Sequence, residues 1–293
     1  MEKMWKSPYR SQSPHRSLAG RARLHPHRVA AVSYFNAKPL LAGLDDVPEI
    51  ELLPAVPSRM LPLLADGQAD AALLPVIDLQ RSASPLTVLP AGCISAAGTV
   101  LTVRVFSQVK PARIHTLLAD TDSHTSVALA QVLWYMQFKR RLRIVPFTAG
   151  TRDPAEDAQA VLVIGDKVVN NPPIGFDFQF DLGRMWFELT GLPFTFAVWA
   201  ASERAHASEL YRVLSAARRD GTEHLHELAH VYGPQYGWPM DLAERYYTRC
   251  LRYDFTEAHR EGMDEFFHLA AEVGVIDEVK PMKFLAGNKG VKS

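Results

Sequence analysis

Between residues 29 and 200 the sequence sets short apolar runs, at 29–32, 50–53, 71–75, 100–106, 116–119, 143–147, 160–164 and 194–200, among stretches with helical spacing. Runs of that length read as core strands, and strands alternating with helices build an α/β fold. The two longest, 100–106 and 194–200, bracket a middle portion that has strands and helices of its own. A chain that leaves one lobe and later returns to it would use such crossings as a hinge. The expected architecture is therefore two-lobed, with residues 28–104 and 197–285 in lobe 1, residues 105–196 in lobe 2, and a ligand cleft between them. A chain of 293 residues is long enough to bury two cores.

Finer expectations follow from local signals. A helix is expected to begin at 39–43, and another to run over 57–66 and close at Gly67. Leu129, Val132, Leu133 and Met136 fall at helical spacing behind the capping-rich segment 120–126, and residues 204–275 read almost wholly as helix, broken near 233–239. The topology that places two such lobes around a cleft is that of the type II-like periplasmic binding proteins.

Composition narrows the classes. No apolar stretch is long enough to span a membrane, and Cys93 and Cys250 make neither a disulfide framework nor a multi-cysteine metal site, so a reducing, cytoplasmic location is expected. Formal charge is zero overall but uneven, because residues 1–23 hold six cations against Glu2. Residues 1–27 read as a disordered basic tail, rich in Ser, Pro and Arg and without the apolar run of a secretory signal. The mildly acidic remainder argues against nucleic acid as a partner. His224, His226 and His230 have helical spacing, but no acidic or cysteine set accompanies them, so no metal is assigned.

The candidate site lies where strands end. The run 29–32 leads into Ser33, Tyr34 and Asn36, polar groups placed at the mouth of a cleft, and the Asn36 amide offers both a donor and an acceptor without titrating. Lys38 is the one charge beside them, on a first helical turn that is ordinarily solvated. At 120–126 a helix start exposes N–H groups and a partial positive charge, with Thr125 and Ser126 adding hydroxyls, a combination that suits a carboxylate or phosphate. Capping by Asp122 or Ser123 accounts for part of that pattern equally well. Residues 92–98 read as a small-residue loop that a ligand could approach, and Asp166 stands at a strand's carboxyl end, as a ligand contact or a helix cap. Asp78 and Cys93 are open to the same two readings. Dinucleotide, P-loop, zinc-protease and serine-hydrolase signatures are absent.

Taken in order, several segments resemble the chorismate dehydratase family of menaquinone biosynthesis. They are Val32-Ser33-Tyr34-Phe35-Asn36-Ala37-Lys38-Pro39-Leu40, Ala69-Asp70-Ala71-Ala72-Leu73-Leu74-Pro75-Val76, Asp122-Ser123-His124-Thr125-Ser126-Val127-Ala128-Leu129, Ile164-Gly165-Asp166, Asp181-Leu182-Gly183 with Trp186, and Leu189-Thr190-Gly191-Leu192-Pro193-Phe194 with Ala197-Val198-Trp199. The likeness extends from about residue 28 to about residue 280. Two departures stand out: Ala97 and Thr99 occupy positions where the family usually carries Asp and Pro, and His124 stands where Arg is often found.

The resemblance implies the binding-protein fold turned to catalysis in the futalosine pathway, with no cofactor: a hydro-lyase that converts chorismate to 3-(1-carboxyvinyloxy)benzoate and water. It implies Asn36 as the catalytic residue and Ser33, Tyr34, Ser95, Thr125, Ser126 and Asp166 as substrate contacts. In that reading the substrate's own enolpyruvyl carboxylate takes the ring proton, with His124 and Asp166 as the next acid/base candidates. A non-catalytic solute-binding module of the same fold, or a related futalosine-pathway enzyme, are the alternatives.

Overall fold

The computed structural model describes residues 9, 25–120, 123–147 and 159–285. Two sheets organise it. Strands β1 (His27–Ala31), β2 (Ile50–Pro54), β3 (Ala71–Pro75) and β4 (Leu86–Ala96) join the first, and β5 (Val103–Ser107), β6 (Thr116–Asp120), β7 (Arg143–Phe147), β8 (Ala160–Ile164) and β9 (Phe178–Asp181) make the second. The chain then returns through β10 (Phe194–Ser202), and β11 (Lys283–Phe284) completes the first sheet in the order β11-β4-β10-β3-β1-β2. The second runs β7-β6-β8-β5-β9. In each sheet a parallel trio reaches one edge, β1 pairing parallel with β2 and β3, and β6 with β7 and β8, and on its inner side the trio meets one antiparallel strand, β10 beside β3 and β5 beside β8.

Helices α1 (Met60–Ala65), α2 (Asp78–Arg81), α3 (His124–Phe138), α4 (Lys167–Asn170) and α5 (Leu182–Thr190) lie within the alternating portion of the chain. Helices α6 (Ala207–Glu223), α7 (Leu225–Tyr232), α8 (Met240–Arg245) and α9 (Glu257–Glu272) follow β10, with a π-helical turn at Tyr246–Cys250. The break at 233–239 is present, and a second one follows the π turn, where Arg252 bridges to Ser95 of β4.

Three local expectations need correction. Residues 92–96 are not a loop: they end β4, the longest strand, and Gly92 is small because a Cβ there would meet Arg218 Cδ and Leu40 Cδ2 at 2.9 Å each. Strand β5 begins at Val103 rather than at residue 100, because Leu101 takes a left-handed φ of 71° and the Asp181 carboxylate collects the Val100 and Leu101 N–H groups at 3.0 and 2.7 Å. The segment after β1 forms a 3-10 turn, Phe35–Leu40, with Pro39 inside it and Asn36 on it.

That turn is held from behind. Phe35 stacks on Tyr247 at 4.2 Å and packs against Trp238 at 4.9 Å, while the Tyr247 hydroxyl donates to the Phe35 carbonyl at 2.6 Å. Gly221 of α6 lies so close that a Cβ there would stand 1.9 Å from the Pro39 carbonyl oxygen. Tyr9 is buried as well, its hydroxyl 3.2 Å from Asp220 and its ring beside His224. The rest of the basic segment through residue 24 lies outside the described residues. Among the described residues no helix is long and apolar enough to cross a membrane.

Candidate active site

The strand ends define the site. Val32 just past β1, Pro75 ending β3, Ser123 to Ser126 past β6 and Ile164 with Gly165 at the end of β8 all line one cavity of about 670 Å³ between the two sheets, its open mouth included. Ligands of α/β folds bind at the carboxyl ends of parallel strands, and here two sets of such ends face a common space. Apolar walls from Leu73, Ile94, Val100 and Phe196 surround a few polar groups: Tyr34, Asn36, Thr102, His124, Thr125 and Ser126.

Asn36 enters from the first sheet. Its Oδ1 is buried and has no hydrogen-bond partner among the described residues, a state that is costly unless something in the cavity donates to it. From the second sheet comes the first turn of α3, whose N-cap, Ser123, makes no side-chain cap. Among the described residues no side chain caps that turn, whose leading N–H groups face the anion-binding end of the helix. Thr125 Oγ1 accepts the Ile77 N–H at 3.4 Å and keeps its own proton for donation. Asp122 lies outside the described residues.

The wall is braced. Thr102 Oγ1 and the Tyr246 hydroxyl are 2.6 Å apart, tying the crossing segment before β5 to the π turn. Asp166, just past β8, accepts from Trp238 Nε1 at 2.9 Å and from the Phe35 N–H at 3.4 Å. Burial pushes its carboxyl up, while those two donors and the Lys38 cation oppose the shift. Asp166 thus fixes the residue preceding Asn36 and is not among the residues lining the cavity.

The other sequence-predicted residues divide the same way. Tyr34, Asn36, His124, Thr125 and Ser126 line the cavity together. Ser33 does not; its carbonyl accepts from the Tyr236 hydroxyl. Ser95 is likewise displaced from the expected role: Ile94 faces the cavity, so its neighbour along β4 points to the opposite face. There the fully buried Ser95 hydroxyl donates to the Arg252 carbonyl at 2.9 Å and lies 2.9 Å from His259 Nε2. Lys38 is not solvated; it is 5% exposed, with Nζ 5.1 Å from the Tyr232 ring centre and 5.5 Å from that of Tyr236, and burial lowers its pKa to about 8.

Asp78, which the sequence leaves open between ligand contact and helix cap, is 1% exposed and holds His124 Nδ1 at 2.9 Å. Its sequence signal, an acid just beyond a strand end, was visible; its partner, 46 positions away, was not.

Two sheets closing on a cavity lined at their strand ends define a protein with the periplasmic-binding-protein-like fold. Solved structures bear this out: a protein of Archaeoglobus fulgidus superposes with a TM-score of 0.69 at 14% identity, covering 87% of this chain and 100% of its own. The alkanesulfonate-binding protein SsuA of Xanthomonas axonopodis pv. citri, bound to MOPS, does so at 0.60 and 10% identity, covering 87% and 96%. A family model described as menaquinone biosynthesis matches residues 27–272, and the chain belongs to that family. A curated relative, the chorismate dehydratase of Thermus thermophilus, is 27% identical over 265 residues, which is 83% of this chain and 94% of the relative.

Proposed function

We propose that this protein is a chorismate dehydratase, a hydro-lyase that forms 3-(1-carboxyvinyloxy)benzoate and water in the futalosine route to menaquinone. The observation that carries the reading is the Asn36 amide oxygen, buried and without a hydrogen-bond partner among the described residues, in the same cavity as the first turn of α3, whose N-cap Ser123 makes no side-chain cap. Membership of the menaquinone biosynthesis family and the chorismate dehydratase relative support it.

Chorismate fits such a site chemically. It carries two carboxylates and one hydroxyl on a small cyclohexadiene, so it needs donors at its two ends, one acceptor, and apolar walls between. The N–H groups of α3, with Thr125 and Ser126, serve one carboxylate. The Asn36 amide accepts from the C4 hydroxyl through Oδ1 and donates through Nδ2 to the other carboxylate. The ring carboxylate acidifies the C3 proton through the diene, and the enolpyruvyl carboxylate lies within reach to take it. Loss of the C4 hydroxyl then gives an aromatic ring. Because aromatisation drives the reaction, the protein has chiefly to hold geometry and stabilise charge gathering on the ring carboxylate.

Incubating the full chain with chorismate and following the aromatic protons of the product by NMR tests this. Stoichiometric appearance of the enolpyruvyl benzoate is expected. Saturable binding of chorismate without conversion would instead identify a solute-binding module.

A further inference from the structure

His124 and Asp78 follow strands of different sheets. Asp78 opens α2 just past β3 in the first sheet and is 1% exposed. His124 opens α3 past β6 in the second sheet and lines the cavity. His124 Nδ1 stands 3.0 and 2.9 Å from the two Asp78 oxygens. Arg81 Nη1, 3.6 Å from Asp78, is the carboxylate's other ionic contact. A carboxylate at Nδ1 keeps that nitrogen protonated, so Nε2 is the atom left to exchange a proton with the contents of the cavity. Among the described residues Nε2 has no protein partner.

Dehydration of chorismate needs two proton movements. The enolpyruvyl carboxylate can take the C3 proton, but hydroxide is a poor leaving group unless it is protonated as it departs. The Asn36 amide and the Thr125 and Ser126 hydroxyls are too weakly acidic to supply that proton at neutral pH.

We propose that His124 is the general acid that protonates the departing C4 hydroxyl, with Asp78 as the residue that positions it, the two being brought together where the sheets meet across the cavity. The proposal rests on the dehydratase reading. In the balanced step the C3–H electron pair becomes the new ring π bond and the C4–O pair leaves with oxygen. The Nε2 proton of the imidazolium completes water. The proton taken from C3, held on the enolpyruvyl carboxyl, then returns to Nε2, so none is consumed. Asn36 Oδ1 accepts from the same hydroxyl to which His124 donates, and one oxygen can do both.

The test compares wild type with H124A, H124Q, D78N and the double variant D78N/H124A, using chorismate as substrate. H124A is expected to lose about 100-fold in kcat with KM changed by less than about threefold. Added imidazole should restore part of that rate, in proportion to its protonated fraction. D78N is expected to lose about tenfold in kcat, and the double variant to be no slower than H124A, because Asp78 acts through the ring. H124Q, which keeps a donor but no acid, should bind substrate and stay slow; it carries the test if H124A does not fold. Turnover by H124A or H124Q within about threefold of wild type would overturn the assignment, as would losses in D78N and H124A that simply add. A wild-type protein that leaves chorismate unchanged would overturn the dehydratase reading as well, whereas a fast His124 variant overturns this one alone.

Discussion

Lys38 shows how a single residue can be misread at the level of sequence. A lysine on a short helical turn is ordinarily solvated, yet this one is enclosed by the Tyr232 and Tyr236 rings close to the Asp166 carboxylate. Burial favours the neutral amine and lowers its pKa to about 8 from the 10.5 of the free side chain. The unfolded chain then binds more protons between those two values. The associated cost is fully present below pH 8 and relieved as pH rises toward 10.5. Wild type should therefore gain stability relative to K38M over that interval, by on the order of 2 kcal/mol. Paired denaturant titrations at pH 7 and pH 10 measure the difference; an unchanged gap would show that the amine is not desolvated.

At the scale of elements, the position of Asn36 depends on contacts far along the chain. The 3-10 turn that carries it is braced by Tyr247, Trp238 and the close passage of α6 at Gly221. G221A would place a Cβ 1.9 Å from the Pro39 carbonyl oxygen, which rigid backbone cannot accommodate without moving the turn. A loss of about 1–3 kcal/mol is expected, with a fall in turnover steeper than the fall in chorismate affinity. Equilibrium unfolding and steady-state kinetics on one preparation check it, and a variant with wild-type kinetics would detach α6 from the site.

Legibility in the sequence follows the same division between local and distant causes. Strand runs such as 71–75 and 160–164 and the start of α3 were readable because apolar spacing and capping residues are local signals. Tyr34, Asn36, Thr125 and Ser126 were readable as polar groups at strand ends, and they share the cavity. Ser95 and Asp166 were not resolved by that rule. The face on which a strand residue lies depends on register, and Asp166 is claimed by Trp238, 72 positions away. The Asp78–His124 pair and the Thr102–Tyr246 bond likewise join residues that only the folded topology brings together.

At the scale of the whole molecule, contacts around the cavity tie the second sheet and its helices to the rest of the chain: Asp166 with Trp238 and the Phe35 N–H, Thr125 with the Ile77 N–H, His124 with Asp78, and Asn170 with the Tyr236 carbonyl. A binding-protein fold becomes an enzyme when the groups at that seam do more than hold the ligand, and in the proposed reaction Asn36 is where the two roles separate. Its buried amide oxygen has no partner among the described residues, so N36A removes an uncompensated polar group and should leave stability unchanged or slightly raised. The most direct measurement is therefore made on N36A, with chorismate affinity from calorimetry set beside product formation in a single turnover. Affinity within about tenfold of wild type and a turnover rate reduced by at least about 100-fold is the predicted result. Product formation by N36A at a rate close to wild type would contradict the account.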